Sequence, residues 1–247
     1  MLPALLYLGF GAVCLVILAT LNHQIVLLIF HVLLRATSSI HAAATVYFLL
    51  TYPGIFVHEA AHWMVALVLG LQPSAFSVWP QLTQDGLLLG YVLHRRTNDL
   101  LSNALVGAAP LMAGSSLIAL ISRRVFDINQ IIDVFDNMGW FQGLLSLISS
   151  LARVDRLPWL YLLFALANGM MLSRSDREPL RPALGFVIFA AIVFLAVGLP
   201  LGPIASLLGI IFPALEALVT SLMLIIMLDI AVLFLLGILA MVTSRPT

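Results

Sequence analysis

The residues best equipped to do chemistry stand together in one apolar stretch, GIFVHEAAHWMVALVLG, where His58, Glu59 and His62 spell H-E-x-x-H. Four residues apart on a helix, the two imidazoles share a face. They can grip one cation at about 2.0 to 2.1 Å while Glu59 projects beside them. This is the spacing a zinc hydrolase needs, with neutral imidazoles on the ion and a carboxylate next to it to take a proton from water. Three ionisable groups in a lipid-embedded helix are costly, at about 2.5 to 3.5 kcal/mol per charged residue at the helix centre. A divalent ion would compensate them better than packing does. The competing expectations are a set of satisfied polar residues facing a bundle interior, and a proton or ion pathway.

Two histidines leave the cage incomplete, because a catalytic zinc takes three protein ligands and keeps a fourth position for water. The other histidines, His23, His31, His41 and His94, lie in the first segments or at segment ends. There an imidazole is more often a polar interfacial residue than a ligand. The acidic candidates are Asp176, Glu178, Glu216 and Asp229.

The elements that must position these groups follow from composition. The chain has 247 residues, 62% of them hydrophobic and 9% charged, with a mean hydropathy of +1.14; a soluble domain carries roughly 25% charged residues. That pattern predicts an integral, multi-pass membrane protein in contact with the lipid bilayer. It excludes soluble globular, disordered, collagen-like and nucleic-acid-binding classes. Eleven basic residues, all arginine, cancel eleven acidic ones, so net charge points to no charged partner. The single Cys14 supports neither a disulfide framework nor a cysteine metal cluster. The N-terminal MLPALLYLGFGAVCLVILATL lacks a basic leader region and is expected to be an uncleaved membrane segment.

A bilayer core of roughly 30 Å needs about 20 apolar helical residues, and the charge-free runs predict six or seven crossings. The first two, residues 3–21 and 24–34, are separated by Asn22, His23 and Gln24; a tight hairpin and one long bent helix are both open. The third runs over residues 42–71 and is loosened at Pro53-Gly54. Residues 74–94 break the helical pattern: two short β-prone runs around TQDG predict a hairpin at the interface. Residues 100–121 form a span with the small-residue run GAAPLMAGSS, expected to pack centrally, in which Pro110 needs its freed carbonyl satisfied by a neighbour. Residues 123–156 read as an amphipathic interfacial segment. Further spans are expected over 158–172, 183–199 and 202–242, the last as one long helix or two short ones. The fold class is therefore all-α and polytopic with a small interfacial β-hairpin. It forms a single membrane domain with N-terminal helices (1–41), a core carrying the candidate site (42–181) and C-terminal helices (182–247). The arginines divide six against five between the two faces and orient nothing.

A transmembrane H-E-x-x-H helix, a hairpin, a small-residue span and then an Asn-led segment ending in Asp together resemble the site-2 protease family of intramembrane zinc metalloproteases. The family's second motif is N-x-x-P-x-x-x-L-D-G, its Asp being the third zinc ligand. Asn168-Gly-Met-Met-Leu-Ser-Arg-Ser-Asp176 reproduces the separation from Asn to Asp, but Met171 replaces the Pro, Ser175 the Leu and Arg177 the Gly. The likeness covers about residues 52–181. It implies zinc held by His58, His62 and Asp176, Glu59 as general base, and hydrolysis of a membrane-protein or peptide substrate. The order of the spans agrees: the third segment and the 158–172 span run the same way, so Asp176 can reach the histidines by folding back a turn or two within SRSDRE, provided that the third helix does not begin at Gly54. Glu178 is the fallback ligand. Asn168 is expected to position unwound backbone or a substrate carbonyl. Asp229, mid-helix, is expected to be hydrogen-bonded to a neighbouring helix or protonated. The alternative to a protease is a non-catalytic membrane protein: a transporter, a channel, a metal-binding scaffold or an inactive homologue.

Overall fold

The computed structural model describes residues 2–79, 81–83, 86–88, 90–93, 95, 97–198, 200 and 202–243. The chain opens with α1 (Leu2–Thr37), one continuous helix of 36 residues, which decides for the single long helix over the hairpin at residues 22–24. No Gly or Pro stands there to end the helix, and Asn22 finds a partner instead: its Nδ2 donates to Asn168 Oδ1 at 2.7 Å. Ser38 adopts a left-handed conformation with φ 52. Ser39 then caps α2 (Ile40–Val68) by accepting from the Ala42 N–H. The helix passes straight through Pro53. A proline removes the N–H that would bond four residues back, freeing the Leu49 carbonyl; the Tyr161 hydroxyl donates to that oxygen at 3.4 Å. Since α2 begins at Ile40 and not at Gly54, His58 and His62 lie past its midpoint.

The expected β-strands are present as two antiparallel ladders. β1 (Ala75–Ser77) pairs with β4 (Tyr91–Leu93), and β2 (Gln81–Thr83) pairs with β3 (Gly86–Leu88). Ser77 faces Tyr91 and Gln81 faces Leu88. Gln84 and Asp85, at the centre of the expected turn, and His94 lie outside the described residues. The hairpin rests on α2 through aromatic rings at helical spacing: Phe48 packs edge-on against Trp79 at 5.5 Å and Phe56 against Phe76 at 6.2 Å.

Asp99 accepts from the N–H groups of Leu101 and Ser102 to start α3 (Leu100–Arg124), which packs against α2 and supplies the middle of the core. The amphipathic segment becomes two short helices, α4 (Ile128–Met138) and α5 (Trp140–Leu151). At 11 and 12 residues neither reaches across a bilayer. The outer side of α4 carries Asn129, Gln130, Asp133 and Asp136, and that of α5 carries Trp140, Phe141, Leu144, Leu145 and Ile148. Arg156 ties the chain after α5 to the turn between α3 and α4, donating to Asp127 Oδ2 at 3.2 Å while its guanidinium lies over the Phe126 ring. Then follow α6 (Leu157–Gly169), the single turn α7 (Arg174–Arg177), α8 (Leu180–Ala196) and the 42-residue α9 (Gly202–Thr243). The last region is thus one helix. Tyr7 meets Phe212 and Gly11 meets Val219, so α1 and α9 lie side by side in the same direction.

Among the described residues four helices are long and apolar enough to cross a membrane: Pro3–Thr37, Ile40–Val68, Leu100–Val125 and Gly202–Val242. Between α2 and α6 the contact is backbone on backbone. A Cβ on Gly54 would lie 1.8 Å from the Ala165 oxygen, and one on Gly169 would lie 2.3 Å from the Gly54 carbonyl carbon. Lipid gives helices no hydrophobic reason to associate, so such close approach supplies the packing instead. Gly54→Ala is therefore expected to destabilise the fold by about 1–3 kcal/mol or more. Gly237→Ala, with nothing within 4 Å of the new methyl group, should be neutral or slightly stabilising. Thermal unfolding of both variants in detergent checks this; equal melting of Gly54→Ala and wild type would contradict the contact.

Candidate metal centre

His58 and His62 are one turn apart on α2, and Asp176 reaches them from α7. The chain leaves the helix after Gly169, turns over residues 170–173 and re-enters it in a single turn, which supplies the expected fold-back. That turn is stabilised by a capping box. Ser173 Oγ accepts from the Asp176 N–H at 3.2 Å, and Asp176 Oδ2 accepts from the Ser173 N–H at 2.7 Å. The short helix is pressed onto α3 at Gly107, where a Cβ would sit 2.5 Å from the Asp176 carbonyl oxygen.

The three side chains converge. His58 Nε2 lies 3.4 Å from Asp176 Oδ2, His62 Nε2 lies 3.2 Å from Asp176 Oδ1, and the two Nε2 atoms are 3.2 Å apart. Four ligands at about 2.0–2.1 Å from a tetrahedral zinc are separated from one another by about 3.3–3.4 Å, so the spacing suits one small divalent cation. One such atom from each residue falls within 4.8 Å of the others, and the group could hold a metal ion.

The hydrogen bonds behind the rings sharpen this. His58 Nδ1 is 2.7 Å from the Gly169 carbonyl oxygen and His62 Nδ1 is 2.9 Å from the Val106 carbonyl oxygen. A carbonyl only accepts, so each Nδ1 carries the hydrogen, and Nε2 of each ring, facing the other and the carboxylate, is the atom left for a cation to take. The Ser173 N–H donated to Asp176 Oδ2 favours the ionised carboxylate. Three acceptors thus face one point, and a single divalent ion satisfies all of them at once. The backing carbonyls act as the outer-shell partners that fix ring orientation in metal sites.

Glu59 is buried beside the cluster. The start of β4 closes over it, since a Cβ on Gly90 would lie 2.8 Å from Glu59 Cγ and 3.0 Å from Oε1. All four residues line a cavity of about 830 Å³, whose wall also includes Thr51, Asn103, Asn168, Ser173 and Glu178.

The other candidates are dispersed. Asn168 lines the cavity, but its amide is already engaged: Nδ2 donates to Phe164 O at 2.8 Å and Oδ1 accepts from Asn22. Glu178 lines the cavity and is exposed; Glu216 lies exposed on α9. Asp229 is buried on α9, and its Oδ1 has no hydrogen-bond partner among the described residues, so the expected bond to a neighbouring helix is not seen at that atom. His23, His31 and His41 are exposed and away from the cluster. Sequence reasoning did not find Val106, Gly169, Gly107 or Gly90. The S-x-x-D spelling of the capping box is the one local signal that would have pointed to the turn holding Asp176.

No protein-family model, no curated protein and no solved structure matches the chain.

Because Gly107 fixes the backbone of Asp176 without donating an atom to the centre, Gly107→Ala is expected to weaken zinc binding about 10–100-fold. Metal content after dialysis against a zinc buffer, set beside His62→Ala, measures it. Wild-type affinity in Gly107→Ala would detach Asp176 from the centre.

Proposed function

We propose that the chain is a multi-pass membrane zinc hydrolase that cleaves peptide bonds in membrane-associated substrates, in the manner of the site-2 protease family it resembles. The observation carrying this reading is the convergence of His58 Nε2, His62 Nε2 and the Asp176 carboxylate at 3.2–3.4 Å with Glu59 on the same helix beside them. With the short α6 counted as a crossing that meets lipid with local thinning or flanking polar residues, the crossings are five, α1, α2, α3, α6 and α9, the odd number that lets α1 and α9 run in the same direction; α8 is then not a crossing, and the count falls short of the six or seven expected.

When bound, zinc supplies Lewis acidity toward a carbonyl oxygen and lowers the pKa of water to about 7. Every other contribution comes from the chain. His58, His62 and Asp176 supply three protein ligands and leave room for a fourth position, which distinguishes a catalytic site from a closed structural one. The Glu59 carboxylate takes the proton from the attacking water and passes it to the leaving amine nitrogen. Thr51, Asn103 and Ser173 on the cavity wall make it a place water can enter, which hydrolysis inside a membrane requires. The buried depth of Glu59 under Gly90 keeps the base close to the ligands and away from bulk solvent.

Glu59→Gln removes the base and none of the three ligands. It is expected to retain one zinc per chain and to lose about 10²–10⁴-fold in cleavage of a membrane-segment peptide library, measured by metal analysis and peptide mass spectrometry on protein in mild detergent. A transporter or metal-binding scaffold would keep its behaviour in this variant. Wild-type protein that binds no zinc at micromolar concentration would end the enzyme reading.

A further inference from the structure

Inside an α-helix the carbonyl of residue i accepts from the N–H of residue i+4. For Val106, in the first half of α3, that donor would be residue 110, which is proline and has none. The Val106 carbonyl is therefore left without its partner in the helix ladder. The donor it receives is His62 Nδ1, at 2.9 Å. A second proline shows the same chemistry with a different outcome: Pro53 frees the Leu49 carbonyl, which takes the Tyr161 hydroxyl at the far end of α6 from the cluster. The other imidazole also uses a carbonyl that the ladder does not claim, because Gly169 is the last residue of α6.

We infer that Pro110 is a positioning residue for the metal centre: by withdrawing the helix's own donor from the Val106 carbonyl, it leaves that oxygen to hold His62 as the Nδ1–H tautomer with the Nε2 lone pair directed at the cation. The relevance to metal rests on the zinc reading above. Pro110 itself touches neither ion nor substrate and acts through a backbone oxygen. With an N–H restored at position 110, the carbonyl returns to the α3 ladder and the proline ring no longer pushes it outward. A buried His62 then shares its acceptor with residue 110 and populates the Nε2–H tautomer, which has no lone pair to offer the ion.

The inference separates helix stability from metal affinity, since replacing proline inside a helix favours the helix. The test uses the full chain in detergent with Pro110→Ala, Pro110→Gly and the control Pro53→Ala. Two readouts are taken: the tautomer of His62 from ¹⁵N shifts of histidine-labelled metal-free protein, and the affinity and visible spectrum of bound Co²⁺. The expected result for Pro110→Ala is a melting temperature within about 5 °C of wild type, a mixed His62 tautomer, and Co²⁺ affinity reduced about 10–100-fold. Pro53→Ala is expected to leave tautomer and Co²⁺ affinity as in wild type. Pro110→Gly restores the N–H without a side chain and should behave as Pro110→Ala does, so it decides the matter if the alanine variant does not fold. A His62 that stays wholly Nδ1–H in a folded Pro110 variant overturns the inference. So does a loss of affinity that Pro53→Ala shares. If wild-type protein binds no Co²⁺, the zinc reading fails by itself, and the tautomer comparison still decides the role of Pro110.

Discussion

Two imidazoles in the interior of a helical bundle can turn their Nε2 atoms to the same point only if each is held from behind by an acceptor. Acceptors are scarce there, because regular helices consume their own carbonyls and lipid supplies no water. The centre exists where the ladder is interrupted: at Pro110, which leaves the Val106 oxygen free for His62, and at the end of α6, which leaves the Gly169 oxygen free for His58. The convergence of both Nε2 atoms with Asp176 follows from those two backbone oxygens. A helix with the same H-E-x-x-H spacing and no such acceptors would leave its rings free to turn.

Close approach of backbone is the second requirement, and glycine provides it. Gly54 and Gly169 bring α2 against α6 so that a carbonyl on one reaches a ring on the other. Gly107 lets the turn carrying Asp176 settle on α3, Gly114 accepts Met170, and Gly90 lets the hairpin lie over Glu59. In a bundle without a hydrophobic driving force, small residues that allow such contact are what hold helices in register. Here the tightest of them, Gly54 against the Ala165 oxygen, also shapes the cluster.

Away from the centre the molecule is built differently. α8 is exposed along nearly all of its length, and α1 and α9 run together as a long apolar pair. Asn22 joins that pair to α6 through Asn168, so the amide that resembles the family's Asn is occupied by a neighbouring helix. Asp229 stands buried within α9, its Oδ1 unpaired among the described residues. Nothing about its surroundings connects it to the ligand cluster.

The sequence by itself determined that the chain is built of long apolar helices and that two histidines and a glutamate share one of them. Hydropathy summed over twenty residues reports lipid whatever the tertiary structure, and a spacing of four on a helix puts both imidazoles on one face by geometry alone. It also marked Asp176, through its distance from Asn168. It did not separate one long α1 from a hairpin at residues 22–24, because Asn22 is compatible with a helix once a partner exists and that partner lies 146 positions away. Only the tertiary structure decided which of four acidic residues meets the imidazoles, which carbonyls orient them, and which glycines permit the contacts. Those are relations between helices distant in sequence: Pro110 marks a freed carbonyl in the letters, but which ring takes it is set only when α2 and α3 pack.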